Sequence, residues 1–439
     1  MTAAASPLSA KRSRTIDYAL SRLGGAKSFI PIRSIEDFRK VPFGHELQLS
    51  GNRMGLLSEH GMEQVRLIVR TLHEADLFGG LADYSDLWSA CWKTLEELIS
   101  KGQIAESAIE WLELISARIG PRIQSRIFAV PFVGVDFEGI DELPLGSLKL
   151  LRPTIRLHDE AGVDHGFADV PKIIGRYRDR ELWLKGGARG TRSVAEKRFR
   201  TLSDLIAGLL AVAAAAMLKS GAARLFISAN MTGHDSHGDA TWFSWEESGA
   251  SFTLHRSGIR GVPFVINADL REQLVEASVF AAAMRIFESE SRTPLEEAIA
   301  RGFHWYADAH RDPTPVMKFV KYWSCAETFF SSDQTDITRS VSVGIAAVLV
   351  FGGYGFVPVE NYSSLKKRIA KLYALRSKAV HRASRSHITE MDVGELSRCV
   401  AQLLINAVSF VERGYRTPDE IKRHSERLDG QVEQGRDMK

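Results

Sequence analysis

The sequence predicts an α+β protein with an N-terminal helical segment, a central β-rich mixed module and a C-terminal α-helical bundle. Apolar residues recur at helical spacing from about residue 57 to 119, strand-like runs follow from Ile123, and they stop after Asn267. With 439 residues, 44% of them apolar, the chain can form two or three cores. We expect domains at 1–120, 121–268 and 269–416, then a charged, disordered tail at 417–439.

The N-terminal and central regions differ in the period of their apolar residues. EQVRLIVRTLHEADLF and SDLWSACWKTLEELI have the helical period, and Gly120 and Pro121 end the last helix of this region. SRIFAVPFVGVDFEGI, RELWLK and ARLFISAN are rich in β-branched and aromatic residues and read as short strands. We expect one Ala-rich helix, at about 202–219, within the central module.

The C-terminal region is expected to be all helix. Thr293, Pro294 and Glu296 form a capping signature. Thr293 can cap the helix, Pro294 occupies its first position, and the Glu296 side chain can accept from the backbone N–H of Thr293 as in a capping box. The predicted helices lie at about 269–288, 294–310, 314–330, 335–351, 362–376 and 389–413. In the last of these the apolar residues fall on one face, as a bundle helix requires.

Composition limits the class of protein and its compartment. Cys91, Cys325 and Cys399 are scattered without paired spacing, which disfavours disulfides and cysteine-based zinc sites and fits the cytoplasm. The N-terminus lacks the apolar run of a signal peptide. The apolar stretches at 205–218 and 341–359 are short or broken by glycine and proline, so we expect core helices and no membrane partner.

A basic segment dominates the C-terminal region. No carboxylate occurs between Glu360 and Glu390, while the basic residues there are Lys366, Lys367, Arg368, Lys371, Arg376, Lys378, Arg382 and Arg385. The whole chain has a net charge of +3, so the rest of it carries −5. A solvated helix face is the ordinary interpretation of a charge run, and a site for a polyanion such as RNA is the functional one.

The motif within this segment resembles a known family. LYALRSKAVHR is similar to the R-x4–6-H signature of the HEPN superfamily, in the form seen in its ApeA-like branch, and KFVKYWSCAETFF resembles the helix that precedes it there. The likeness covers the last third of the chain well and RIFAVPFVGVDFEGI only loosely. It implies a HEPN-type bundle, a homodimer with two motifs in one cleft, and a toxin or antiphage defence effector whose N-terminal regions sense a protein or phage-derived trigger.

The residue types suit RNA cleavage without a metal or other cofactor. Histidine transfers protons near neutral pH, so His381 is the candidate acid or base, and Arg376 can hold phosphate oxygens bidentately. Glu327 is either an orienting partner of Arg376 or an ordinary helix glutamate. On a regular helix Arg376 and His381 are about 140° apart, so they share a face only if the helix ends between them. One histidine per motif also favours a dimer.

Two weaker patterns occur in the central module. Gly187, Arg189, Gly190 and Arg192 precede a predicted helix, where backbone N–H groups could hold a phosphate, although the segment lacks the end of a P-loop. A solvated loop is the alternative. GHDSHGDA offers four metal-ligand side chains, His234, Asp235, His237 and Asp239, but its glycines favour a hairpin loop, so we expect no metal.

Three functions therefore remain open. The first is a metal-independent HEPN endoribonuclease. The second is a non-catalytic HEPN module that binds RNA or a nucleotide through the same basic residues. The third is a structural dimerisation domain. Ser377 stands where many HEPN ribonucleases carry Asn, Asp or His after the arginine, and together with the single histidine it is what separates the first two.

Overall fold

A computed structural model of the chain describes residues 8–25, 27–32, 44–51, 53–152, 182–217, 226–229, 240–245, 252–257, 263–330, 337–382 and 388–435. The predicted α+β class is confirmed. The chain divides into two compact units, Met1–Phe128 with Gly187–Phe199 and Ala129–Gly186 with Arg200–Lys439. This division differs from the predicted one, because residues 121–268 are shared between the units.

The described residues of the first unit form four complete α-helices and a three-stranded antiparallel sheet. The helices are α1 Ala10–Leu23, α2 Glu59–Glu74, α3 Tyr84–Ser100 and α4 Ala108–Ile119. The sheet has the order β1-β3-β2, with β1 Phe29–Pro31, β2 His45–Leu49 and β3 Arg53–Leu57. Sequence patterns did not predict this sheet, because its strands are only three to five residues long.

The core of the first unit forms between the helices and one face of this sheet. Leu20 of α1, Ile68 of α2, Leu95 of α3 and Trp111 of α4 are all nearly inaccessible to solvent and belong to one cluster. Each of these helices begins with a serine or aspartate whose side chain accepts a hydrogen bond from the first turn. Such caps stabilise a helix end by about 1 kcal/mol each.

The strands of the central region form a five-stranded sheet and two smaller pairings. The sheet has the order β6-β7-β8-β4-β9, and β12 pairs in parallel with β5 while β10 pairs with β11. The bounds are β4 Gln124–Val133, β5 Val135–Phe137, β6 Glu142–Leu145, β7 Leu148–Leu151, β8 Leu182–Gly190, β9 Ser228–Ala229, β10 Ala240–Trp245, β11 Phe252–Ser257 and β12 Phe264–Ile266.

A long apolar helix, α5 Arg192–Met217, follows β8. It begins about ten residues earlier than predicted, because Thr191 and Ser193 start it directly after the strand. Among the described residues it is the one helix long and apolar enough to cross a membrane, and 72% of its apolar window is buried inside the protein. A core helix passes the same test.

The described residues after β12 form eight α-helices, all in the second unit. Their bounds are α6 Ala268–Glu276, α7 Ser278–Glu288, α8 Pro294–Arg311, α9 Pro315–Phe330, α10 Ile337–Phe351, α11 Tyr362–Arg382, α12 Glu390–Glu412 and α13 Pro418–Glu433. The predicted helix at 269–288 is two helices, because Ala277 has an extended backbone. The helix predicted at 362–376 continues six residues further.

Close backbone approach and buried aromatic rings hold this bundle together. A Cβ on Gly208 of α5 would lie 2.5 Å from the carbonyl oxygen of Phe303, so only glycine lets α5 approach α8 this closely. Arg311 of α8 forms an ion pair with Asp204 of α5 at 2.7 Å. The hydroxyl of Tyr306 lies 2.7 Å from that of Ser397, which connects α8 to α12.

The prediction of a disordered tail at 417–439 is wrong for most of its length. Pro418 is the first residue of α13, and Thr417 is its cap. The hydroxyl of Thr417 accepts from the N–H of Glu420, and the Glu420 carboxylate accepts from the N–H of Thr417, so the helix has a complete capping box. The helix then buries one face, at Ile421, Ser425 and Asp429. The high charge of the segment led to the prediction of disorder, because only three of the residues in this helix are buried.

Candidate functional site

Helix α11 carries the motif and most of the predicted site. Tyr362, Ile369, Leu372 and Tyr373 are buried and attach one side of it to the bundle. The rest of its surface contains the carboxylate-free basic segment. Some basic side chains of the helix therefore contact neighbouring helices, and others are exposed to solvent.

The basic residues at the start of α11 are used within the protein. Lys366 forms ion pairs with Asp429 at 2.6 Å and with Glu433 at 3.1 Å, both on α13. Arg368 donates from its Nη2 to Glu395 at 2.6 Å and to Asp392 at 3.0 Å, both on α12. The structure thus corrects the predicted RNA-binding set, because the charges of these two residues are already neutralised.

The ion pairs at the start of α11 shift the pKa values of both bases upward. Burial opposes the charge of Lys366, but its hydrogen bonds to Asp429 and Glu433 outweigh this and raise the pKa of the ammonium group. The hydrogen bonds that Arg368 donates to Glu395 are the largest cause of its raised pKa. Burial and the neighbouring Asp429 raise the pKa of Tyr362, whose hydroxyl donates to that carboxylate at 2.9 Å.

Three lysines of α11 remain exposed and lie on one face. Lys367, Lys371 and Lys378 are exposed, and none of them forms an ion pair with another described residue. At 100° per residue, Lys371 lies about 40° and Lys378 about 20° around the helix from Lys367. We call these three residues the lysine stripe. It runs about 16 Å along the helix, at 1.5 Å per residue.

Arg376 lies on the opposite side of α11, in a small polar cluster. Its Nη2 donates to Glu327 of α9 at 3.1 Å, and Tyr373 donates its hydroxyl to the same carboxylate at 3.0 Å. The guanidinium carbon lies 5.6 Å from the centre of the Tyr373 ring, and that ring contacts Trp323 edge to face at 5.0 Å. Glu327 does contact Arg376, as one of the two sequence interpretations requires.

The Arg376 side chain keeps donors for a ligand. Its Nε is buried without a hydrogen-bond partner, and the Glu327 contact uses one of five N–H groups. The side chain is about one-fifth exposed. Burial and the charge of Glu327 raise the pKa of Tyr373, so this phenol stays a neutral donor that fixes the carboxylate. The cluster therefore holds a partly accessible, pre-positioned guanidinium.

The motif histidine lies in the last turn of the same helix. Because α11 continues to Arg382, it does not end between Arg376 and His381, and the two backbone positions are about 140° apart. The His381 position instead lies about 40° from that of Lys367, next to the lysine stripe. The side chains of His381 and Arg382, and the whole of Arg385, lie outside the described residues.

At the candidate phosphate loop, the groups predicted to bind phosphate form hydrogen bonds within the protein. Gly187, Arg189 and Gly190 belong to strand β8, so they do not form a loop before α5. At the helix start Thr191 donates its N–H to the carbonyl of Leu81 at 2.8 Å and its hydroxyl to Asp86.

The Asp86 carboxylate also accepts from the hydroxyl of Ser193 at 3.0 Å. A carboxylate therefore takes the place at the start of α5 where a phosphate was predicted, while the side chains of Arg189 and Arg192 are exposed.

Metal ligands do not assemble in the described part of the chain. No group of three His, Cys, Asp or Glu side chains is close enough to hold a metal there. The segment with His234, Asp235, His237 and Asp239 lies outside the described residues. The thiols of Cys91, Cys325 and Cys399 are buried and unpaired, and burial raises the pKa of the Cys91 and Cys399 thiols to about 12.

The partners of the basic residues are what sequence reasoning missed. Asp392, Glu395, Asp429 and Glu433 lie 24 to 67 positions from the bases they bind. A local signal does exist, because Asp392 and Glu395 follow Thr389, the cap of α12, on one face of that helix. Which base they would meet depends on the packing of the helices.

Comparison of the chain with family models, with curated proteins and with solved structures found no match.

Proposed function

We propose that the C-terminal α-helical bundle is a metal-independent endoribonuclease of HEPN type, and that it works as a homodimer. The observation that carries the proposal is the lysine stripe on α11, a carboxylate-free cationic face with the His381 position beside it. Lysines that follow the RNA backbone position the strand by charge, and a histidine beside them can move the proton of a 2′-hydroxyl.

The dimer supplies what a single chain lacks. Cleavage needs a base for the 2′-hydroxyl and an acid for the leaving oxygen, and each motif has one histidine. The backbone positions of Arg376 and His381 lie about 140° apart around one helix, and a single α11 carries one motif histidine for proton transfer. Two copies related by a twofold axis bring a second His381 and a second Arg376 to the same cleft.

The guanidinium of Arg376 is assigned to the charge that develops on phosphorus. Glu327 and Tyr373 hold it in place, and its remaining N–H groups can donate to phosphate oxygens. This assigns Arg376 and His381 to the chemistry, Glu327 to the orientation of the arginine, and the lysine stripe to the strand. The proposed partners are RNA and a second copy of the chain.

The first experiment measures cleavage of a labelled single-stranded RNA by the purified protein in EDTA. His381→Ala should cleave about 10²- to 10⁴-fold more slowly, the usual contribution of one general acid or base. His304→Ala is the matched control, since His304 is an exposed histidine of α8 in the same unit. Equal rates for wild type, His381→Ala and Arg376→Ala contradict the assignment.

The second experiment tests the dimer. Wild type and His381→Ala are mixed in varied ratios and allowed to exchange subunits. If one cleft needs both histidines, the cleavage rate follows the square of the wild-type fraction. A rate proportional to that fraction means that each chain acts alone, and the two-histidine cleft is then wrong.

The second candidate function is RNA binding without cleavage. The angular separation of Arg376 and His381 favours it, because the lysine stripe can hold RNA without either residue. It predicts salt-sensitive binding with no turnover, unchanged by His381→Ala and weakened when the lysine stripe is replaced by glutamine. The cleavage assay in EDTA separates the two functions directly.

A further inference from the structure

A second basic cluster lies at the other end of the bundle, where α12 meets α13. Arg413 follows the last residue of α12, and His424 and Arg427 lie one turn apart on α13. Both arginines are exposed, and neither forms an ion pair with another described residue. Glu412, the carboxylate next to Arg413 in sequence, is paired with Arg285 at 3.3 Å.

Aromatic packing holds the imidazole of this cluster in place. The His424 ring lies 6.3 Å from the ring of Phe410 and 6.0 Å from that of Tyr415, and these two rings are 5.0 Å apart. The Arg413 guanidinium lies 6.0 Å from the centre of the same Phe410 ring. It also crosses the backbone at Gly353, where a Cβ would come within 2.8 Å of its Nη2.

The hydrogen bond between Arg427 and His424 fixes the donor on the imidazole. The Nη2 of Arg427 lies 2.9 Å from Nδ1 of His424, and arginine can only donate. Nδ1 is therefore the acceptor, and the neutral ring carries its proton on Nε2. The cluster thus contains an imidazole N–H with one guanidinium bound to the same ring and a second guanidinium on the neighbouring Phe410 ring, and these groups are the donors that a phosphate requires.

The charges of the cluster are unbalanced in the absence of a ligand. Burial lowers the pKa of His424, and the positive charges of Arg427 on α13 and Arg413 on α12 lower it further. Since both arginines lower this pKa and neither has an ion-pair partner among the described residues, an anion bound beside the imidazole would be stabilised by both charges. The nearby Arg423 differs, since its Nε donates to the carbonyl of Asp419.

We propose that Arg413, His424 and Arg427 form a binding site for the dianionic phosphate of a phosphate monoester, separate from the lysine stripe. The two guanidinium groups take the phosphate oxygens, and the Nε2–H of His424 donates a third hydrogen bond. Such a phosphate occurs on a free nucleotide and on the 5′ end of an RNA strand, and the site recognises the group common to both.

The test uses the full-length protein with AMP, inorganic phosphate and adenosine as calorimetric ligands. AMP and phosphate should bind and adenosine should not. Arg413→Gln and Arg427→Gln should each weaken AMP binding roughly 10- to 100-fold, as expected for hydrogen bonds to a charged group. The matched control is Arg423→Gln, an exposed arginine of the same helix, which should bind AMP as wild type does.

Two results overturn the site: no binding of AMP, or an equal loss in the Arg423→Gln control. Proton NMR of His424 gives an independent readout, because a bound dianion should raise the pKa of this imidazole and Arg427→Gln should abolish the rise. Circular dichroism of each variant shows whether it has folded.

A third arm identifies the source of the phosphate, in a His381→Ala background that prevents cleavage. Tighter binding of a 5′-phosphorylated oligonucleotide than of its 5′-hydroxyl form assigns the site to RNA ends. Equal binding of the two, with AMP bound, assigns it to a free nucleotide. Because the AMP experiment involves no RNA, its failure is distinguishable from failure of the proposed ribonuclease.

Discussion

The two halves of helix α11 carry similar basic residues and use them in opposite ways. In the first half, Lys366 and Arg368 are each bound by two carboxylates from α13 or α12. In the second half, Arg376 meets the single carboxylate of Glu327 and Lys378 is exposed, while Lys367 and Lys371 are exposed beside the bound residues of the first half. Lys366 and Arg368 therefore fasten the helix to the bundle, and Arg376 and the lysine stripe are available to a ligand.

This difference shows why a basic run in a sequence is an ambiguous sign of RNA binding. The carboxylate-free segment suggested one continuous cationic surface. Two of its eight bases serve the fold, because acidic residues of later helices pack against them. The lysine stripe that remains is narrower than this surface and runs along the axis of α11. It therefore predicts that a bound RNA strand follows the helix axis.

The largest difference between the halves should appear in catalysis. Arg376→Ala should slow RNA cleavage by about 10²- to 10³-fold, the usual effect of losing one donor to a developing charge. Arg368→Ala should leave the rate constant within a few fold, since its guanidinium is bound to Glu395 and Asp392. The measurement is single-turnover cleavage in EDTA. Similar losses in both variants would remove the distinction.

Loss of the buried carboxylate on α13 should weaken the fold. Asp429→Ala leaves the buried Tyr362 hydroxyl without an acceptor and Lys366 with only Glu433. We expect the free energy of unfolding in urea to fall by about 2 kcal/mol. Glu433→Ala is the control, since its side chain is more than half exposed. RNA affinity of Asp429→Ala should stay near that of wild type, because Lys366 keeps its ion pair with Glu433 and lies about 100° around the helix from Lys367.

The lysine stripe should control the salt dependence of RNA binding. Replacement of Lys367, Lys371 and Lys378 by glutamine should make the slope of log affinity against log salt shallower by about 2, at 0.7 per phosphate for a single strand. Lys366→Gln should leave the slope unchanged. Fluorescence anisotropy at several salt concentrations measures both, and equal slopes for all proteins would mean that RNA binds elsewhere.

The smallest expected effect concerns acid stability at the fastened half. Burial raises the pKa of Asp392, but its hydrogen bonds from Thr389 and its contact with Arg368 outweigh this and lower it overall. The folded pKa lies below the unfolded value, so the stability it contributes is present above about pH 4 and is lost as pH falls through the folded pKa.

Arg368→Gln should raise the folded pKa of Asp392 toward its unfolded value, so that this contribution is smaller and its loss is complete at a higher pH. Urea unfolding between pH 3 and pH 6 measures the shift. The control is Arg301→Gln, an exposed arginine of α8. Parallel curves for wild type and Arg368→Gln would show that Thr389 alone holds the carboxylate.

Local signals predicted much of the fold. The capping signature of Thr293, Pro294 and Glu296 begins α8 where expected, and the apolar face of α12 is buried as its spacing indicated. The short strands of the first unit were missed, because three to five residues carry too little periodicity to stand out. Helix α13 was missed because its burial depends on three positions in a highly charged segment.

The sequence by itself determined that this protein is α+β, that its C-terminal region is helical, and that a carboxylate-free basic segment surrounds Arg376 and His381. Local residue spacing encodes all three properties. Only the tertiary structure decided which bases stay available, that a carboxylate occupies the start of α5, and that Glu327 contacts the Arg376 guanidinium. Those outcomes depend on contacts between residues far apart in the chain, which local patterns do not encode.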